Sequence, residues 1–443
     1  MMKKALKITG ITLASLVGLV LIAIFIALGT VTSPKRLTKM VKKYVPQYVD
    51  FDMALERANL TLKTFPDIGL ELDQVAILSP MTGAPTDTLA KVGKLILSAD
   101  AKKFLQEKEI VVKRCLLDDA MVSIFTDAEG HSNLDIFSSN SDDTTSKPFD
   151  YSIDLHEVKL THTDVSYTDL SQKMTAQAEE LNLDIKGQMQ DQDIQAVLAL
   201  NTDRLTLKTN GLDTDLKALQ IDFNGSINDF QHINGLLKLA SPDTRLLTGY
   251  EVLRHDRLSL ELPLNLHLKP INGSLSDALI HLNDYHIALT GNASMEQNGD
   301  IGLDLKFNTN TLDLEEVISY LPENIITRLR GITFKGKAEL NEGSVKGIIN
   351  DSLLPVIVTK VTIHDSEVNV PQLPYPFKQV ALSTLLDLNL NESLHAKDIQ
   401  LNTLLNRSKI TLTGDLTDLA NKMYLNLNLK SNLVMADLSP NYA

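Results

Sequence analysis

The chain has 443 residues, enough for two or three ordinary domains or one long extended body. Its net charge is −14, and residues 1–49 hold eight Lys or Arg and no Asp or Glu, leaving −22 on the rest. A body that acidic repels nucleic acid, and with Trp absent there is no stacking platform for bases, so DNA and RNA are excluded as partners. The single cysteine, Cys115, permits neither an internal disulfide nor a cysteine metal cluster and reads as a small apolar core residue.

Lys3, Lys4 and Lys7 precede an apolar run, residues 8–31, with no charged side chain. About 20 such residues span a bilayer core, and neither a small-residue cleavage pattern nor a lipobox cysteine follows. Residues 1–31 are therefore expected to be a cytoplasmic tail and an uncleaved transmembrane signal anchor. Residues 32–50 follow as a basic amphipathic helix. Leu37, Met40, Val41, Tyr44 and Val45 fall on one face, Lys35, Arg36, Lys39, Lys42 and Lys43 lie between them, and Pro46 is the stop. Two readings stand for this helix: it lies on the lipid headgroups, or it plugs the end of the sheet that follows.

From residue 51 the texture changes to strands. ANLTLKTFPDIGLELDQVAI alternates on both sides of Pro66 and Gly69, as a hairpin does. A brief helix is predicted over 101–107 and a strand over 110–125. The polar stretch SSNSDDTTSK cannot bury a core, so a flexible linker is placed at 138–149 between an N-terminal β-region, 51–137, and a repetitive β-region, 150–443.

The clearest element of the second region is residues 258–268, LSLELPLNLHL. Leu258, Leu260, Leu262, Leu264, Leu266 and Leu268 occupy every even position and polar residues or Pro263 every odd one. A period of two puts all six leucines on one face of an antiparallel strand. Ile301, Leu303, Leu305 and Phe307 alternate in the same way, as do Leu386, Leu388 and Leu390, and Leu425, Leu427 and Leu429. Helices are predicted at 242–253 and 312–329, the second with Glu315 and Glu316 in its first turns. A loose repeat links IALTGNASMEQNGDIGLDLKFNTNTLDLEEVISYLP, from Ile287, to ITLTGDLTDLANKMYLNLNLKSNLVMADLSP, from Ile410, and IDFNGSINDFQHINGLLKLA is a weaker third copy. Stacked repeats make elongated bodies. The second copy reaches Ala443 where its helix should begin, so a chain shortened at its C-terminus is expected.

No nucleotide-binding, hydrolase or zincin motif occurs. Among ten dispersed histidines the closest pair, His281 and His286, reads as solvated strand residues rather than metal ligands. The acidic pair Glu179–Glu180 reads as a solvated face. An enzyme needs convergent polar groups on rigid elements, so none is expected here, and neither a metal nor a cofactor.

The segment LTLKTFPDIGLELDQVAILSP, continuing through DTLAKVGKLILSADAKKFLQEKEIVVKRCLLDDAMVSIFTDAEGHSNLDIF, resembles the AsmA family of bacterial inner-membrane proteins. The resemblance covers residues 1–137 and beyond them rests on the repeats. It implies an anchor in the inner membrane of a diderm bacterium with the body in the periplasm. It also implies a long curled sheet like those of bridge-like lipid-transfer proteins, and a role in outer-membrane homeostasis without catalytic residues. The expected fold class is thus mainly β: a transmembrane helix, then a long, twisted, largely antiparallel sheet curled into an open apolar groove, with a few short helices. The alternating leucines would line that groove, the five basic residues would meet the membrane surface, and the partners would be phospholipids. Periplasmic or outer-membrane assembly proteins are the other expected partners, and the alternative function is a scaffold for outer-membrane protein assembly with a dry, packed sheet.

Overall fold

A computed structural model describes residues 33–44, 52–107, 110–137, 151–190, 193–229, 231–247, 251–296, 298–319, 326–327, 329–350, 352–389, 391–419 and 422–438. The expected transmembrane anchor and the expected linker at 138–149 lie outside the described residues. Among the described residues no helix is long and apolar enough to cross a membrane. The chain divides into two compact units, Met1–Ile227 with Ser241–Gly249, and Asn228–Ala240 with Tyr250–Ala443.

The first unit opens with α1 (Pro34–Tyr44), β1 (Met53–Ala54), β2 (Arg57–Thr61), β3 (Ile68–Leu78) and β4 (Thr88–Ala99). The predicted short helix follows as α2 (Ala101–Glu107), then β5 (Ile110–Thr126), β6 (Tyr151–Asp169), β7 (Met174–Gln190), β8 (Asp193–Lys208) and β9 (Asp213–Asn228). β1 and β2 both pair with β3, and from β3 to β9 each strand pairs with the next. All pairs are antiparallel except β5–β6. Burial concentrates at the start of this sheet. Leu70, Leu72, Leu95, Leu97, Val112 and Cys115 are sealed from solvent, and the end of β4 is buried on both faces, from Leu95 through Ala99. α1 supplies Leu37 and Val41 to this core, and its Thr38 Oγ1 accepts the Ala58 N–H at 2.9 Å.

β10 (His232–Leu247) contributes residues to both units. Among the described residues the helix expected at 242–253 is not there: 242–247 are the end of β10, and 251–253 are the start of β11 (Glu251–Leu268). The Ser-Pro-Asp sequence imitates a helix start. In the strand, however, Ser241 is buried and its Oγ donates to the Lys217 carbonyl at 3.0 Å and to that of Asp243 at 3.2 Å, so the side chain anchors the ladder instead of a cap.

The second unit continues with β12 (Ile271–Leu282), β13 (Tyr285–Met295), β14 (Ile301–Thr309), β15 (Leu312–Asp313) and α3 (Leu314–Ser319). It ends with β16 (Thr333–Ile349), β17 (Val356–Asn369), β18 (Phe377–Asn389), β19 (Ser393–Leu405), β20 (Ser408–Thr417) and β21 (Tyr424–Ser431). Every pair between neighbours is antiparallel, with β14 and β15 side by side on β16. The helix predicted over 312–329 begins two residues late, because Leu312 and Asp313 pair with Ala338 and Lys337. Asp313 Oδ1 then accepts the Glu315 N–H at 3.0 Å as the cap.

Five strands of this unit carry one residue with φ between 46° and 56°: Asp277, Glu342, Asp365, Gln379 and Asp398. At each the ladder shifts. These are β-bulges, in which an extra residue changes which side chains share a face. In β12 the residues facing the β11 leucines are Ile271, Gly273 and Leu275 before the bulge, and Ile280 and Leu282 after it. Without the insertion the apolar set would change sides halfway along the strand. Flanking strands pin the bulges. The Glu342 N–H donates to Asn308 Oδ1 at 3.0 Å, and Thr359 Oγ1 donates to the Asn341 carbonyl at 3.3 Å. Asp398 N–H bonds Asp415 Oδ1 at 2.9 Å, while Thr384 Oγ1 holds the Lys397 carbonyl at 2.9 Å.

Candidate functional site

The alternating leucines come together through strand register. In the second unit Leu264 stands opposite Leu275, which stands opposite Gly291, then Leu305, Val345, Ile357, Leu388 and Leu394 in turn. That row crosses eight strands, about 34 Å at the usual spacing between strands. Parallel rows flank it. One runs Leu268, Ile271, Met295, Ile301 and Ile349, another Leu266, Gly273, Ala293, Leu303 and Gly347, and a third Leu260, Ile280 and Ile287. Leu258 faces Leu282, Phe307 faces Leu289 and Gly343, and Leu262 lies where the β11–β12 register shifts. Further on, Leu386 leads through Ala396 and Leu416 to Leu425, while Leu412 and Gly414 face Leu429 and Leu427. Leu390 lies outside the described residues.

This face is apolar and uncovered to a degree that the core of the first unit is not. From Leu258 to Leu268 every leucine is only half-buried, and so are Leu303, Leu305, Phe307, Leu386 and Leu388. On β21 the leucines are exposed, Leu425 at 60% and Leu429 at 57%. The opposite face is polar: Asn265, Ser274, Asn292, Asp304 and Lys346 form one row across five strands. A shallow hollow of about 640 Å³ sits there, floored by Asn272, Gly273, Ser294, Gly302 and Gly347. Asn265, His267, Ser274, Asn292 and Asp304 also line it.

The first unit holds a row that the sequence reading did not single out. Leu70 faces Leu97, then Cys115, Val158, Ile185, Leu198 and Phe223 across seven strands. The signal was present in the alternation of Val158 with Leu160 and of Leu183 with Ile185. Cys115 lies within this row, and burial pushes its thiol up to about 12, so it acts as an apolar side chain.

The five basic residues of α1, Lys35, Arg36, Lys39, Lys42 and Lys43, are all exposed, on the side away from Leu37 and Val41. His281 and His286 face each other across β12–β13 with ring centroids 4.4 Å apart and nearly perpendicular. Among the described residues no third His, Cys, Asp or Glu joins them in a group able to hold a metal.

Matched against known families, residues 2–440 fit the profile of the AsmA family. The chain belongs to the AsmA family. The likeness carried by the first 137 residues therefore extends over nearly the whole chain, repeats included. AsmA proteins are generally associated with the cell envelope and are not known as an enzyme family. No curated protein and no solved structure matches the chain.

Proposed function

We propose that this AsmA-family protein is anchored in the inner membrane and binds or conducts phospholipid acyl chains along the apolar faces of its sheets, between the inner and outer membranes. The observation that carries the reading is the row from Leu264 to Leu394, an in-register apolar track whose side chains are half-buried rather than sealed. Each methylene laid on such a track gains about 0.8 kcal/mol. Many weak contacts then hold a chain, while no single residue traps it. Headgroups stay in water. The dry, packed scaffold is less favoured, because a packed core would bury leucines as the first unit buries Leu70 and Leu97.

In this scheme the apolar run 8–31 spans the inner membrane and the body lies in the periplasm. The exposed lysines and arginine of α1 face anionic headgroups while Leu37 and Val41 hold the helix to the sheet. Photo-crosslinking amino acids at Leu264, Leu266, Asn265 and His267 test the reading in cells. Phospholipid should be captured at the two leucine positions and not at the two polar ones. Equal capture at all four, or at none, refutes it.

A further inference from the structure

We infer that the tip of the β2–β3 hairpin inserts into a membrane, with Leu62 and Phe65 entering the interfacial layer of a phospholipid bilayer beside the basic helix α1. This second contact rests on the reading that α1 faces headgroups, and extends it to an apolar element. Leu62 is 76% exposed and Phe65 77%, more than any other large apolar side chain among the described residues. Exposure climbs along β2. Ala58 is sealed where its N–H donates to Thr38 Oγ1 of α1, Leu60 is 41% exposed, and Leu62, just past the strand, is nearly bare. The tip is nonetheless firmly built. The Phe65 N–H donates to the Leu62 carbonyl at 3.1 Å, and the Asp67 N–H to that of Thr64 at 3.0 Å. Thr64 and Asp67 turn inward and are buried, which leaves Leu62 and Phe65 directed outward. Gly69 lets the two arms close, since a Cβ there would strike the Thr61 and Thr64 side chains. A fixed turn that holds a leucine and a phenylalanine in water marks a contact surface.

Charge identifies the occupant. A surface of anionic headgroups repels an acidic body, but at this corner the carboxylates are covered. Glu71 lies between two cations, its Oε2 3.0 Å from Lys63 Nζ and its Oε1 3.8 Å from Lys94 Nζ. Asp67 Oδ2 is 3.8 Å from Arg114 Nη2. α1, packed on the same strand, adds five exposed basic residues and no acid. Leu62 lies about 13 Å beyond Ala58 along the strand direction. α1 itself begins at Pro34, three residues after the apolar run 8–31. Apolar side chains flanked by cations are what an element lying in the headgroup layer presents, and an aromatic ring suits that depth.

The chain contains no tryptophan, so Phe65→Trp installs a single fluorescent reporter. The full chain carrying it is reconstituted into phosphatidylethanolamine–phosphatidylglycerol vesicles, with and without bromine on the acyl chains. Emission from position 65 should shift to shorter wavelength and be quenched at least twofold by the brominated lipid. Leu62→Trp, on the other side of the turn, should report the same. Met121→Trp is the control. Met121 is exposed on β5, nine residues from Val112, which reaches the hairpin's end of the sheet through Ala99 and Ile68, so it lies about 30 Å away. It should stay unquenched. Adding Leu62→Asp to the Phe65→Trp chain should return the emission to that of an indole in water. Vesicle flotation separates the tip from the anchor. A chain that does not float overturns both, and one that floats with position 65 unquenched overturns the insertion alone. Equal quenching at positions 65 and 121 overturns it too. So does a shift to shorter wavelength without bromine quenching, which makes the occupant a protein surface.

Discussion

Leu305→Asp distinguishes an open track from a covered core. Leu305 lies in the middle of the eight-strand row, with Gly291 on one side and Val345 on the other. Burying a leucine completely is worth about 1.5–3 kcal/mol, and this one is half-buried, so about 1–2 kcal/mol is lost with it. Placing Asp in a strand costs up to about 1 kcal/mol more. With the face open to water the carboxylate stays hydrated, and the total is about 1–3 kcal/mol. For a unit of about 200 residues that lowers the melting temperature by about 2–12 °C. Beneath a second protein layer the same carboxylate would be buried without a partner, adding several kcal/mol and preventing the unit from folding. Thermal melting followed by circular dichroism reads the first quantity, and mass spectrometry of co-purified phospholipid reads the second. We expect a folded protein with its lipid content reduced by tenfold or more, since an acyl chain crossing that point must strip water from the charge. A variant that does not fold refutes the open face, and a folded variant with its full lipid content refutes the path across β14.

Two further outcomes follow from the repeat. At Gly291 and Gly414 a methyl group would run into the carbonyl of Asp304 or Asn426 at a φ that side chains avoid, so Gly291→Ala and Gly414→Ala should each cost about 2–4 kcal/mol. Gly211→Ala, in open space, should be near neutral by the same denaturant titration; equal effects at all three would show that the backbone crossing is not tight. Burial alone would raise the Asp437 carboxyl, but hydrogen bonds from Ser408, Asn406 and the Arg407 and Ser408 backbone outweigh it and hold the group below its usual range. A depressed carboxylate stabilises the fold above its unfolded value and stops doing so as pH falls through the folded one. Hydrogen-exchange protection of the Arg407 amide should accordingly persist from neutral pH through the ordinary carboxylate range, about 4, and be lost only below it. Loss centred near pH 6 or above would contradict that account.

Much of the sheet could be read in advance because period-two leucine runs admit one solution. The strand at 258–268, the 101–107 helix, the hairpin around Pro66 and Gly69, and the Leu-Thr-Gly repeat all follow from local pattern. The bulges could not be read, because they fall on Asp277, Glu342, Asp365, Gln379 and Asp398, polar residues that look like any solvated strand position. The parallel pairing of β5 with β6 was equally hidden, since it depends on where the chain re-enters after a long connection. At 242–253 a local helix-start signal lost to a buried serine bonded to the neighbouring strand. The leucine positions were legible, but their assembly into rows was not, because register is set by pairs far apart in sequence.

The pinned bulges bear on how such a sheet keeps its identity under load. A strand that slides by one residue against its neighbour normally reaches another acceptable ladder. Here Glu342 is held by Asn308 on one side, and the adjacent Asn341 carbonyl by Thr359 on the other, so one step would break both bonds at once. Asp398 and the Lys397 carbonyl are held in the same way, by Asp415 and Thr384. Each such strand is keyed like a tooth in a rack. Tension applied across these strands would be shared between them instead of being relieved by slippage at the weakest seam.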